Sequence, residues 1–133
     1  MKKIISFIII AIFIAITILP SCKKNDLEQE YQDYSVAYLL RNKIDRDRRF
    51  IITYKDPAFA NKITEQYESI RDTFWIRLEA KTLDIMYMSA ISTNDTVDFD
   101  VSIYVNNELV ARDSTICFWQ CDTTRAVVEY PLP

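Results

Sequence analysis

The chain has 133 residues, with 16 Lys and Arg against 19 Asp and Glu, three Cys, no His and no Gly. Without His there is no His general base, no His-containing triad and no His metal ligand. Without Gly there are no Gly-rich phosphate loops or dinucleotide fingerprints, and every backbone site with φ > 0 falls to Asn, Asp or strain.

Met1, Lys2 and Lys3 form a short positive start, and Ile4 to Leu19 is a 16-residue apolar run interrupted by Ser6 and Thr17. A membrane-spanning helix needs roughly 20 residues, so this run is short, and Pro20 breaks it. That layout predicts an export signal with a helical core over residues 1–21. Leu19-Pro20-Ser21-Cys22 resembles a lipobox, the motif cut by the lipoprotein signal peptidase. The resemblance implies a lipid-bearing Cys22 as the first mature residue, and a membrane partner reached through that lipid. Lys23, Lys24, Asn25 and Asp26 resemble the start of Bacteroides-type lipoproteins, which implies an outer-membrane anchor facing the periplasm or the cell surface. After cleavage, 14 Lys and Arg face 19 Asp and Glu, a charge of −5. That balance argues against a nucleic-acid partner.

Residues 22–33 are polar and read as a tether, and residues 34–133 as one small domain. Tyr34, Val36, Tyr38 and Leu40 share one face of a strand, although Leu39, Leu40 and Ile44 also suit a helix over 27–44. Arg46, Arg48 and Arg49 fall in a charged connection, read as a solvated turn. Phe50 to Tyr54 is a strand that Asp56-Pro57 ends. Over residues 58–72, Phe59, Ile63, Tyr67 and Ile70 fit helical spacing, with a strand and long loop as the alternative.

Phe74, Ile76, Leu78 and Ala80 alternate with outward Arg77 and Glu79. Asp84 to Ile91 is apolar on both faces, as a central strand would be. Phe99, Val101, Ile103 and Val105 alternate with Asp98, Asp100, Ser102 and Tyr104, which predicts a half-buried strand. Asn106-Asn107 is a two-residue turn into Glu108–Ala111, with φ > 0 expected at both Asn. Arg125 to Tyr130 is the last strand. Six or seven strands predict a mainly β fold, a two-sheet antiparallel sandwich.

Phe74-Trp75-Ile76, Met86-Tyr87-Met88-Ser89-Ala90, the turn at Ser92 to Asp95, and Ile103-Tyr104-Val105-Asn106-Asn107-Glu108-Leu109-Val110 carry a second resemblance. Together they resemble small lipoproteins with an immunoglobulin-like sandwich, related in fold to MmpS-like accessory proteins; Asn107 stands where that pattern has Gly. The resemblance covers about residues 50–130. It implies an immunoglobulin-like sandwich of about seven strands and no catalytic residues, and some relatives are thought to assist transporters or envelope assembly.

Three clusters hold candidate chemistry. Cys117 and Cys121 would lie about 13 Å apart on an extended strand, so bridging them requires the chain to turn back. Export permits that disulfide; the alternative is two reduced, packed thiols. Phe118 and Trp119 would then sit near the loop tip and contact a partner, or they cap the end of the core. Asp95, Asp98 and Asp100 can in principle supply oxygen ligands to Ca²⁺, but they lack EF-hand-like spacing and read as solvated carboxylates.

No metal site and no cofactor are expected. The leading expectation is a non-enzymatic, lipid-anchored envelope module that binds an envelope protein or glycan. A structural or adhesive subunit comes second and a small hydrolase last.

Overall fold

A computed structural model describes residues 31–60 and 62–133. The expected signal helix, Cys22 and most of the expected tether lie outside the described residues. Eight strands follow in order: β1 (Asp33–Asn42), β2 (Arg48–Asp56), β3 (Lys62–Ile70), β4 (Thr73–Lys81), β5 (Ile85–Ser92), β6 (Val97–Val105), β7 (Glu108–Cys117) and β8 (Thr124–Pro131). They form two antiparallel sheets of four strands, ordered β4-β1-β6-β7 and β3-β2-β5-β8.

Alternation builds the core. Val36, Tyr38 and Leu40 of β1 and Phe99, Val101 and Ile103 of β6 face Phe50 and Ile52 of β2 and Met86, Met88 and Ala90 of β5. Phe50 and Phe99 meet edge to face with ring centres 4.9 Å apart, an arrangement aromatic pairs favour. Tyr38 crosses the layer: its hydroxyl donates to the Lys55 carbonyl at 3.0 Å and accepts the Tyr87 N–H at 3.1 Å.

Several expectations hold. Residues 34–42 are strand, with Tyr34, Val36, Tyr38 and Leu40 all buried. β5 is central, between β2 and β8. Asp56 and Pro57 end β2 as expected: the Asp56 carboxylate accepts the Ala58 N–H at 3.0 Å and a 3₁₀ turn, Pro57–Phe59, follows. Asn106 and Asn107 take φ 50° and 68° in the β6–β7 turn.

Other expectations are narrowed or corrected. Over 58–72, left open between helix and strand, the strand alternative holds: Lys62–Ile70 is edge strand β3, whose Ile63 and Tyr67 share the outer face and stay exposed. β6 is not half-buried, because β1 and β7 flank it and Asp100 and Ser102 are as buried as the core. β7 extends well past Ala111, paired along β6 to the Val97–Cys117 position. Positive φ also falls on Ala60, Leu83 and Gln120, three left-handed positions that take the strained option the sequence left beside Asn and Asp.

Candidate functional site

Four connections share one end of the sandwich: β1–β2, β3–β4, β5–β6 and β7–β8. Asn42 at the end of β1 gathers the first two. Its amide donates to the carbonyls of Arg46, Ile70 and Arg71 at 2.8–3.2 Å, while its own N–H donates to the Asp72 carbonyl. The Asn94 Oδ1 in the β5–β6 turn accepts from the Arg49 N–H at 3.0 Å, and Arg48 donates to the Thr96 carbonyl at 2.8 Å. Arg48 and Arg49 thus open β2 instead of lying in the turn; the Arg48 side chain is tied to the β5–β6 turn, while Arg46 and Arg49 are exposed as a solvated connection would have them.

The β7–β8 connection is a stapled loop. Cys117 and Cys121 form a disulfide with Cα atoms 6.3 Å apart, as the fold-back argument required. Gln120 at φ 48° makes the reversal. So short a closed loop limits the entropic contribution to about 2 kcal/mol in the chain-entropy model. The greater consequence is local: the loop holds its two aromatic residues in place.

Phe118 is 64% exposed and Trp119 79% exposed, so neither caps the core. Ile116, just before the staple, is exposed as well. Large apolar side chains clustered in water mark contact surfaces more often than scattered ones do. Here they are held on a closed loop, so binding need not order it first.

A groove of about 460 Å³ lies on the outer face of the β3-β2-β5-β8 sheet, lined by Arg49, Ile51, Tyr67, Glu68, Ile91 and Thr93 among others. The β5–β6 turn joins the two features: Thr93 lines the groove, and the Thr96 hydroxyl lies 3.5 Å from the Phe118 carbonyl. The groove was not expected from sequence. Its one signal is the apolar outward residue Ile91 in β5, read there as burial on both faces.

Of the three aspartates, Asp95 is exposed, and Asp98 and Asp100 belong to an ion-pair network. Asp100 Oδ2 lies 2.9 Å from Arg41, 2.6 Å from Arg112 and 3.4 Å from Lys43, and Lys43 also reaches Asp98 at 3.1 Å. Those cations engage Asp100 Oδ2 and Asp98 Oδ1. Among the described residues, no group of three His, Cys, Asp or Glu is placed to hold a metal. Burial pushes the Asp100 carboxyl up, but hydrogen bonds from Arg41 and Arg112 outweigh it and hold it below the usual carboxylate range.

Asp100→Asn is therefore expected to cost about 1–3 kcal/mol at neutral pH, since it leaves three cations facing a neutral amide. The cost stays in this range because the Arg41 and Arg112 side chains are 43% and 44% exposed and can recover water. A carboxylate held low contributes stability above its unfolded-state value of about 3.9, and loses it as pH falls through the folded-state value. Urea unfolding should show the wild-type advantage near about pH 7 and its shrinkage toward about pH 3. An advantage of equal size at both would refute the assignment.

No family model and no curated protein matches the chain.

Proposed function

We propose that the chain is a lipid-anchored, non-enzymatic protein of the cell envelope, whose stapled Phe118–Trp119 loop contacts an envelope protein or a glycan. The observation that carries the contact is the exposure of both aromatic side chains on a disulfide-closed loop. Trp is favoured at binding centres because it offers a large, rigid area with little entropy to lose. The anchor rests on the lipobox at Leu19 to Cys22, and the outer-membrane location on the residues that follow it.

We also read the sandwich as an immunoglobulin-like variant. The β1–β4 and β2–β5 pairs, with β3 beside β2 and β8 beside β5, match the central pairs and flanks of that arrangement and support this reading. The departure is on the far side of β1, where β6 stands in place of an N-terminal strand.

The test uses the full chain in cells. A photoreactive residue at position 119 is expected to yield a discrete adduct, and one at exposed Arg77 none. For the captured protein or glycan, the double change Phe118→Ser with Trp119→Ser should weaken affinity at least about tenfold. Equal adducts at positions 119 and 77, or unchanged affinity, would refute the loop's role.

The structural-subunit reading has one specific support: β3 is an edge strand that exposes Ile63 and Tyr67. It ranks second because Lys62, Glu65 and Glu68 lie on that strand, and charges discourage edge pairing. On the opposite side of the sandwich, the Asp113 carboxylate of β7 accepts the Val127 N–H of β8 at 2.8 Å and ties those edges together.

A further inference from the structure

The end opposite the aromatic loop carries three exposed apolar groups of its own. Tyr31 precedes β1, Phe59 ends the 3₁₀ turn between β2 and β3, and Leu83 sits in the β4–β5 turn; they are 65%, 70% and 62% exposed. The structure brings their segments together. Gln32 and Thr82 exchange hydrogen bonds of 2.9 and 3.0 Å, and one hollow of about 600 Å³ is lined by Tyr31, Pro57, Ala58, Lys81, Thr82 and Asp84.

Leu83 is an unexpected residue for its site. It holds φ 70°, a left-handed position where Gly, Asn or Asp are the low-cost occupants, and it points an aliphatic side chain at water. Phe59 stands directly before Ala60, also left-handed at φ 54°. Two neighbouring turns thus accept a backbone cost while displaying apolar tips, and neither tip joins the core. An outlier of this kind is grounds for a functional hypothesis.

We propose that Tyr31, Phe59 and Leu83 form a shallow docking surface for the lipid bilayer that holds the anchor. The proposal rests on the lipid-anchor reading above. Under that reading, eight residues separate Cys22 from Tyr31, so this end lies at most about 30 Å from the membrane surface even with the tether fully extended. The span from Tyr31 to Asn42 along β1 is itself about 35 Å at the rise of a strand. The chain enters the domain at Tyr31, so Tyr31, Phe59 and Leu83 lie at the end nearest the anchor in sequence, and Trp119 lies in the β7–β8 loop at the other end.

Tethering also makes the contact intramolecular, so weak insertion of a few side chains is enough. Charge around the hollow is mixed, with Asp33, Glu79 and Asp84 beside Lys81. The contact is therefore apolar insertion into zwitterionic lipid, and it should change little with salt.

The test uses the full lipidated chain in phosphatidylcholine vesicles with brominated acyl chains, which quench nearby Trp. Phe59→Trp is expected to add fluorescence that is quenched about twofold or more, while the native Trp75 and Trp119 of the wild type are little affected. Leu83→Asp in the Phe59→Trp background should relieve the quenching. A chain that floats with the vesicles but whose position-59 Trp is unquenched overturns the docking alone, as does strong quenching of the wild-type chain. A chain that carries no lipid and stays out of the floating fraction overturns the docking together with the anchor. If Phe59→Trp fails to fold, Leu83→Trp serves the same measurement.

Discussion

If Cys22 carries the proposed lipid, Cys22→Ala is expected to abolish labelling by palmitate and to release or mislocalise the product. On the proposed reading the effect is close to all-or-none, because the lipid would supply nearly all of the attachment. Each buried acyl CH₂ contributes about 0.8 kcal/mol, one chain binds only reversibly, and two or three chains hold firmly. The rival is an ordinary signal peptide with a chance cysteine, in which the same change alters neither labelling nor fractionation. Metabolic labelling followed by fractionation separates the two, and unchanged labelling would sink the lipoprotein reading. Because the mature chain would carry a formal charge of −5, electrostatic adhesion to anionic lipid does not substitute for the lost anchor.

Strands were legible wherever one face is buried and the other wet. β4 is the clearest case: Phe74, Ile76, Leu78 and Ala80 all turn toward the core, as their spacing requires. The β6–β7 turn was legible because a two-residue hairpin has few solutions and Asn suits them. Covalent geometry showed that a Cys117–Cys121 bond would need the chain to turn back, since an extended i, i+4 pair cannot be bridged, but it left two reduced thiols open.

β3 was not legible for a physical reason. Its inward positions are Thr64, Gln66, Glu68 and Ile70, and only the last is apolar, while Ile63 and Tyr67 face out, so most of its hydrophobicity marks the wrong face. Asp100 stood out in the sequence as a solvated carboxylate, but its ion pairs did not, because the partners are remote: Arg41 is 59 residues away in sequence and Arg112 is 12 away. One strand's pattern cannot reveal that its polar side is covered by cations from two others. The groove has the same origin, since Ile51, Tyr67 and Ile91 meet from β2, β3 and β5. Exposure of Trp119 was likewise open, because the sequence limits the loop's length without showing which way its tip turns.

Tyr38→Phe tests a hydroxyl bridge between the two sheets, and is expected to cost about 2–3 kcal/mol for the loss of one oxygen atom. The β2–β5 ladder runs from Ile51–Ile91 to Tyr54–Met88, and the next positions along it are Lys55 and Tyr87. There the Tyr38 hydroxyl, arriving from the opposite sheet, takes the Tyr87 N–H and gives its proton to the Lys55 carbonyl. Burial pushes the hydroxyl's pKa up, so it stays protonated and keeps donating across the neutral range. Phe would retain the ring and its packing near Tyr54 but leave two backbone groups without that partner. An unmade bond at a buried group costs about 1–3 kcal/mol, and these two lie at the edge of the core, which sets the total. Urea unfolding of Tyr38→Phe should show the loss with little change in the denaturant slope, because the same surface is buried. A loss below about 0.5 kcal/mol would mean that β2 and β5 close on each other and pair Lys55 with Tyr87 directly, so that the hydroxyl spaces the strands without stabilising them.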